Sequence, residues 1–255
     1  MNPKKNLPLV TIITIVHNNV KTIRTAIQSV AHQSYENIEH IVIDNCSNDG
    51  TLEAIYQQEN DISLIISEPD DGIYHALNKG IKLANGEIVG FLNSDDVLKN
   101  RNTITTIVQN LIDGGNEAVY GDLQYFSKQR PNQITRSWKS NNYTSKKFRQ
   151  GWMPPHPTFY TYKDTYFKYG FFDVSYKISS DYDMMLRLLY EKKIKAKYIP
   201  EVLVKMQRGG FSNQNLRSIM FKSKEDVLIM KKYSFSLLTL INKTIRKFSQ
   251  FIFRG

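Results

Sequence analysis

Between residues 9 and 93 the sequence alternates four short apolar, β-branched runs with three stretches of helical spacing, an order that few architectures accept. Residues 9–16, 38–44, 62–67 and 87–93 have the composition of buried strands. Residues 20–32, 49–58 and 72–84 place their apolar side chains three and four apart, as a helix does. Asn48 or Asp49 can cap the second helix, and Asn85-Gly86 can stop the third. Short connections between strands and helices force successive strands to run parallel, with helices on the sheet faces. The expectation is an α/β fold with a Rossmann-like, mostly parallel central sheet flanked by helices.

After Asp96 the pattern loosens. A helix is expected over 102–112, a short strand over 118–121, strand-like segments over 123–138 and a long polar loop over 139–155. A strand at 158–162 follows, then a helix over 181–190 whose apolar face holds Met184, Met185, Leu188 and Leu189. Residues 202–206 read as a last strand, and the remainder reads as helical. The chain thus divides into a domain over 1–212 and a helical, basic extension over 213–255. Its 255 residues, 41% of them hydrophobic, suffice for one substantial core and exclude disorder and disulfide scaffolds. Cys46 is the single cysteine, so no internal disulfide forms and a reducing compartment suits the chain. The polar opening MNPKKNLP lacks the apolar core of a signal peptide, and no run approaches the ~18 apolar residues of a spanning helix. A cytoplasmic protein is expected.

The net charge of +10 is concentrated at the end: beyond residue 210 nine Lys or Arg face two acids, Glu225 and Asp226. Such a tail points to an anionic partner, membrane or nucleic acid. Over 237–254, Leu237, Leu238, Leu240, Ile241, Ile245, Phe248, Phe251 and Ile252 fall on one half of a helical wheel. Thr239, Asn242, Lys243, Arg246, Lys247 and Arg254 fall on the other. That is the make-up of a helix lying at the inner face of the cytoplasmic membrane, and equally of a helix docked on its own domain with the basic side wetted. No nucleic-acid recognition motif accompanies the charge, so nucleic acid is not the expected partner.

In open α/β sheets ligands bind beyond the carboxyl ends of the strands. Those ends read His17-Asn18-Asn19, Asp44-Asn45, Glu68-Pro69-Asp70-Asp71 and Asn93-Ser94-Asp95-Asp96, so four successive strands bring polar or acidic groups to one edge. Adjacent carboxylates at Asp95 and Asp96 repel unless a cation or protons compensate, and hard oxygen donors beside a diphosphate suit Mn²⁺ or Mg²⁺. A helix cap or a turn is the plainer reading of the same pair.

The runs Val10-Thr11-Ile12-Ile13-Thr14, Ile41-Val42-Ile43-Asp44-Asn45-Cys46-Ser47-Asn48-Asp49-Gly50-Thr51 and Ser67-Glu68-Pro69-Asp70-Asp71-Gly72-Ile73-Tyr74-His75-Ala76-Leu77-Asn78-Lys79-Gly80 precede Phe91-Leu92-Asn93-Ser94-Asp95-Asp96. In order and spacing this series resembles glycosyltransferase family 2, over about residues 7–212. The resemblance implies the GT-A fold, inversion at the anomeric carbon of the sugar and, commonly, a divalent cation. It implies that Thr14, Val16 and His17 line the base and ribose pocket, that Asp44 accepts a nucleobase hydrogen bond, and that Asp71 and Lys79 lie near the donor. Asn93 and Asp95 match the first and third places of the family's Asp-x-Asp motif. Asparagine departs from the commoner aspartate, which leaves Asp95 to carry most of the metal binding and Asp96 to support it or hold the ribose.

Further on, Gly170-Phe171-Phe172-Asp173 and Ser180-Asp181-Tyr182-Asp183 resemble the family's segment around its catalytic carboxylate, with Ser180 where glutamate is commoner. Asp181 aligns with the base and can also cap its helix, whereas Asp183 is structural and within reach of Arg187. The resemblance also brings His156 to the active site as a second metal-ligand candidate, and Arg208, in Arg208-Gly209-Gly210-Phe211-Ser212, near the donor phosphates or the acceptor. The implied activity is hexosyl or N-acetylhexosaminyl transfer from a nucleotide sugar, UDP-linked by preference, to a saccharide or lipid-linked acceptor in bacterial surface-polysaccharide synthesis. A non-catalytic, membrane-associated homologue serving as scaffold or subunit is the alternative that the Asn93 and Ser180 departures leave open. A nucleotidyltransferase would want a glycine-rich, arginine-containing loop where His17-Asn18-Asn19-Val20-Lys21 stands.

Overall fold

The computed structural model of the chain describes residues 7–127, 133–207, 216–236, 238–243 and 245. Its first half follows the expected alternation: β1 (Val10–Val16), α1 (Ile23–Ala31), β2 (Ile38–Asp44), α2 (Thr51–Tyr56), β3 (Leu64–Ser67), α3 (Ile73–Leu83) and β4 (Ile88–Phe91). These four strands are parallel, in the order β3-β2-β1-β4. The period of two in β1 sorts its side chains between layers. Val10 and Ile12 pack with Val30 of α1, whereas Ile13 joins Leu77 and Ile81 of α3. Helix α3 lies so close to β1 that a Cβ on Gly80 would stand 2.5 Å from the Ile13 side chain.

The second half makes the sheet mixed. It comprises β5 (Asp96–Leu98), α4 (Thr103–Ile112), β6 (Ala118–Phe126), β7 (Ile134–Trp138), α5 (Ser145–Arg149), β8 (Tyr160–Tyr162), α6 (Lys163–Tyr169), α7 (Ser180–Met185), β9 (Ala196–Gln207) and α8 (Leu216–Lys232). Strand β8 runs antiparallel to both β4 and β6, β6 pairs parallel with β9, and β5 pairs antiparallel with β9. The nine strands among the described residues form one sheet. Tyr160 packs across Gly90, where a Cβ would meet the ring at 1.9 Å, so glycine is what lets β8 join β4.

Several segments differ from the sequence expectation, among them β9, which begins at Ala196 and not at 202. The segments at 118–121 and 123–138 are one hairpin, β6 with β7. The polar loop 139–155 contains α5 and buries Phe148 and Trp152 in the largest core cluster. Helix α7 continues as a wider π turn over Leu186–Glu191. At the end of the chain Lys243 is not wetted, as a helix docked with its basic side outward would require. Ile229 and Met230 of α8 enter the same core as Tyr182 and Met184. The terminal segment docks through Leu240, which packs against the core, and through two polar side chains: Thr239 Oγ1 donates to Arg149 O at 2.9 Å, and Lys243 Nζ pairs with Asp226 at 2.9 Å, 3.3 Å from the Tyr182 ring centroid. The boundary at 212 and the side chains of Leu237, Arg246, Lys247, Phe248, Phe251, Ile252 and Arg254 lie outside the described residues.

Candidate active site

The strand ends lie level, with Val16 opposite Asp44 and Asp44 opposite Ser67, so the loops after β1, β2 and β3 share one edge. They are tied to one another. The His17 ring meets Asn45 O at 2.8 Å, and Asn45 Oδ1 accepts from Asp70 N at 2.8 Å. Asn18 turns the chain with φ of 49°, a conformation asparagine tolerates. Its backbone N–H donates to Ser47 Oγ at 2.8 Å, and its side-chain oxygen accepts from Asn48 N at 2.9 Å. Asn19 Nδ2 and Thr22 Oγ1 donate to Ser94 Oγ and Ser94 O, at 2.9 and 2.8 Å, which attaches the loop after β4 to the one after β1.

Within this frame Asp44 is fully buried. Its Oδ2 accepts from Ser67 Oγ at 2.7 Å and from Ser47 N at 3.0 Å. Its Oδ1 is buried with no hydrogen-bond partner among the described residues, an acceptor that lacks its donor. Of the three residues expected at the base pocket, Thr14 and Val16 are buried in the sheet, with Thr14 Oγ1 3.0 Å from His40 Nε2, and His17 is exposed. Lys79 Nζ is held by Glu68 at 2.6 Å and Asp70 at 2.7 Å. Partial burial depresses its pKa, but the two carboxylates outweigh that and keep it above the ordinary lysine value. Lys79 therefore braces the loop after β3, and Asp71 is exposed on the same loop.

The loop after β4 brings the acidic pair. Asp96 N donates to Asn93 O at 3.0 Å, and Asn93 Nδ2 donates to Asp96 Oδ2 at 2.9 Å, so the asparagine in the motif orients its neighbour. Asp96 is fully buried and its Oδ1 has no partner among the described residues. Burial, and then the charge of Asp95, push its pKa well above the carboxylate range. Adjacent carboxylates repel unless a cation or a proton compensates, and a hard divalent cation is one way to do so. Among the described residues no group of three His, Cys, Asp or Glu side chains surrounds an ion position. Asp95 and Asp96 therefore fit a cation that takes one or two carboxylates from protein and the rest from phosphate and water, the habit of Mg²⁺.

Asp181 arrives from the second half at the start of α7, half-buried, with Oδ1 accepting from Tyr182 N at 2.9 Å. Three residues position it that the sequence reading did not single out. The Tyr74 hydroxyl, on the inner side of α3, donates to Ile178 O at 2.6 Å and stands 3.4 Å from Asp181 Oδ1. Burial, and then the Asp181 charge, raise the phenol well above its usual pKa. Asn78 exchanges two 2.9 Å bonds with the Phe172 backbone, fastening the loop before α7 to α3. From α8, Glu225 accepts from the backbone N–H groups of Lys177, Ile178 and Ser179 at 2.7, 2.9 and 2.9 Å. One signal was available for Tyr74 and Asn78: both fall on the apolar stripe of α3, four residues apart.

His156 links the two halves. Its ring stacks on Phe91 at 5.3 Å and meets Phe172 edge-on at 5.6 Å. Burial lowers its pKa while the charge of Asp181 pulls the other way. Phe91 ends β4, four residues before Asp95. Asp181, His156 and the Asp95 loop therefore share one edge of the sheet with Asp44. Asp183, by contrast, is fully buried with Arg187 at 3.3 Å and Lys232 at 2.7 Å, a structural anchor as expected. Arg208 lies outside the described residues.

Known proteins share this fold. S. aureus TarS 1–349 with UDP-GlcNAc superposes with a TM-score of 0.63 at 16% identity, covering 80% of this chain and 59% of that one. The mannosyltransferase PcManGT of Pyrobaculum calidifontis with GDP-Man and Mn²⁺ gives 0.63 at 19% identity, covering 90% of this chain and 65% of its own. The chain thus spans about three fifths of these solved chains, and at such identities they establish the fold, GT-A. TuaG of Bacillus subtilis, named for teichuronic acid biosynthesis, is 38% identical over 95 residues, covering 36% of this chain and 38% of TuaG. An uncharacterised glycosyltransferase of Mycobacterium tuberculosis is 30% identical over 182 residues, covering 71% of this chain and 68% of its own length. With the model for glycosyl transferase family 2 matching residues 11–174, which hold all four strand-end loops, the chain belongs to glycosyltransferase family 2.

Proposed function

We propose that the chain is an inverting glycosyltransferase acting on a nucleoside-diphosphate sugar, UDP-linked by preference, and a hydroxyl of a saccharide or lipid-linked acceptor. The group moved is hexosyl or N-acetylhexosaminyl, and the setting is the cytoplasmic face of the membrane during surface-polysaccharide assembly. Family membership supports glycosyl transfer, the name of TuaG supports the setting, and the ligands of TarS and PcManGT support a nucleotide-sugar donor.

The observation that carries this reading is the placement of Asp181 at the edge where Asp44 and the Asp95 loop also end. Asp44 Oδ1 would accept the nucleobase N–H, with His17 and Asp71 beside the ribose and diphosphate. Asp95, supported by Asp96 and Asn93, would hold Mn²⁺ or Mg²⁺, with His156 as a further ligand candidate. A cation bound there stabilises charge on the departing diphosphate, on the order of several kcal/mol. Asp181 takes the proton of the acceptor hydroxyl. The freed oxygen attacks the anomeric carbon opposite the leaving group, and the carbon–oxygen bond breaks with its electron pair going to the diphosphate. Proton removal of this kind contributes about 10²–10⁴-fold in rate.

Asp181→Asn tests the assignment, because the amide keeps the shape and loses the basicity. Transfer should fall by about 10²–10⁴-fold, while nucleotide affinity by calorimetry stays at the wild-type value. Wild-type turnover by this variant would remove Asp181 from the mechanism.

A further inference from the structure

An amphipathic helix that packs on its own domain turns its apolar stripe inward. The end of this chain does so only at Leu240, which packs against the core. Thr239 and Lys243 face the domain, and Leu238, Ile241 and Ile245 face out. The outward side of α8 continues the pattern with Met220, Phe221 and Leu228, so six large apolar side chains stand 43–66% exposed within twenty-six residues. A shallow groove lined by Ser223, Lys224, Val227, Leu228 and Leu240 joins the two segments into one surface.

The charge on this surface decides what can cover it. Glu225 and Asp226 are the only acids beyond residue 210, and both are buried. Glu225 is taken up by three backbone amides and Asp226 by Lys243. Among the described residues the outward face of the extension therefore shows lysines, Lys224 and Lys231 among them, between apolar side chains, and no carboxylate. A second copy of the chain would set lysine against lysine. A nucleic acid would engage the lysines and leave the six apolar groups in water. Anionic lipid headgroups above an acyl boundary match both features at once.

We infer that the outward face of α8 and residues 238–245 docks on an anionic bilayer, with Leu228, Ile241 and their apolar neighbours entering the acyl boundary and Lys224 and Lys231 on the headgroups. Glu225, buried on a flank of α8, holds the loop that bears Asp181, so one helix meets both the proposed bilayer and that loop. This refines where the proposed transferase sits and not its chemistry: failure of either this test or the Asp181→Asn test leaves the other standing.

The test is sedimentation of the full chain with vesicles of phosphatidylcholine alone or mixed with phosphatidylglycerol. The wild type should pellet with the mixed vesicles and stay in solution with phosphatidylcholine alone. Leu228→Gln with Ile241→Gln, and separately Lys224→Glu with Lys231→Glu, should each weaken partitioning by about tenfold or more. Both pairs point away from the core, so melting temperatures should match the wild type. Failure of the wild type to pellet with mixed vesicles would overturn the inference, as would undiminished binding by the Leu228→Gln/Ile241→Gln variant. A wild-type dimer in light scattering that this same variant dissociates would assign the face to a second copy instead.

Discussion

Replacing Glu225 by glutamine should loosen the loop that presents Asp181. The carboxylate is buried and takes N–H bonds from Lys177 at 2.7 Å and from Ile178 and Ser179 at 2.9 Å each. Bonds to an ionised acceptor contribute about 1.5–3 kcal/mol each, and a buried donor left unpaired costs a similar amount. Glutamine can put its carbonyl where one oxygen accepts two of these bonds, but its NH₂ must then face the third backbone N–H. The loss is about 2–4 kcal/mol. For a chain of this size that lowers Tm by roughly 5–15 °C. Because Tyr74 also anchors this loop through Ile178 O, a relaxed loop misplaces Asp181, and a displacement near 1 Å costs about 10²-fold in rate. Hydrogen exchange followed by mass spectrometry should show faster exchange at 177–182, and kcat should fall with nucleotide affinity unchanged. A glutamine variant with wild-type protection at 177–179 and wild-type kcat would refute the reasoning, since it would show that the three bonds do not position the base.

Asp95→Ala should weaken donor binding in the presence of Mn²⁺ by tenfold or more, about 1.4 kcal/mol, and leave metal-free binding unchanged; calorimetry with and without the ion measures both. Gly90→Ala places a methyl group 1.9 Å from the Tyr160 ring. The resulting overpacking should cost about 1–3 kcal/mol or more, read as a lower urea midpoint. Burial holds His40 at a pKa of about 4, below its ordinary 6.5. The unfolded chain therefore binds a proton the folded one refuses, so the full stability is present above pH 6.5 and declines as pH falls to about 4, by about 3 kcal/mol. His40→Gln should flatten that part of the stability–pH curve.

The first half of the molecule was legible because three of its four strands, β1, β2 and β4, are buried on both faces and each helix has one apolar stripe. Both leave a period in the sequence, and β2 even begins and ends where expected, at Ile38 and Asp44. The second half obscures its period. Gly121 interrupts the apolar run of β6 because Leu203 packs on it, where a Cβ would stand 2.5 Å away, and one strand reads as two. The first half of β9, Ala196 to Glu201, buries only Ile199 fully and carries Pro200, which argues against a strand. Phe148 and Trp152 sit in a segment rich in lysine and asparagine whose average hides them. At the site, Asp44, Asp95 and Asp181 were visible as acids at strand or helix ends. Glu225 was not, because its role depends on α8 crossing the loop at 177–179, a contact between segments nearly fifty residues apart. The same reason explains the tail: a wheel identifies its two halves, but only Asp226, buried beneath it, determines that Lys243 faces inward.

Asn45 joins its neighbours on either side, through its carbonyl to His17 and through its side chain to Asp70. The three loops are thus already in register before a donor arrives, and little ordering entropy remains to be lost on binding. A rigid receptor of that kind selects by mismatch instead of adapting. A base that offers no N–H opposite Asp44 Oδ1 would strand a buried acceptor, and polar sites discriminate most sharply through such unmet bonds. On the role proposed for Asp44, stringency toward the nucleobase would be a property of the ligand-free fold, and relaxing it would require Asp44 to change together with Ser67, its hydroxyl partner.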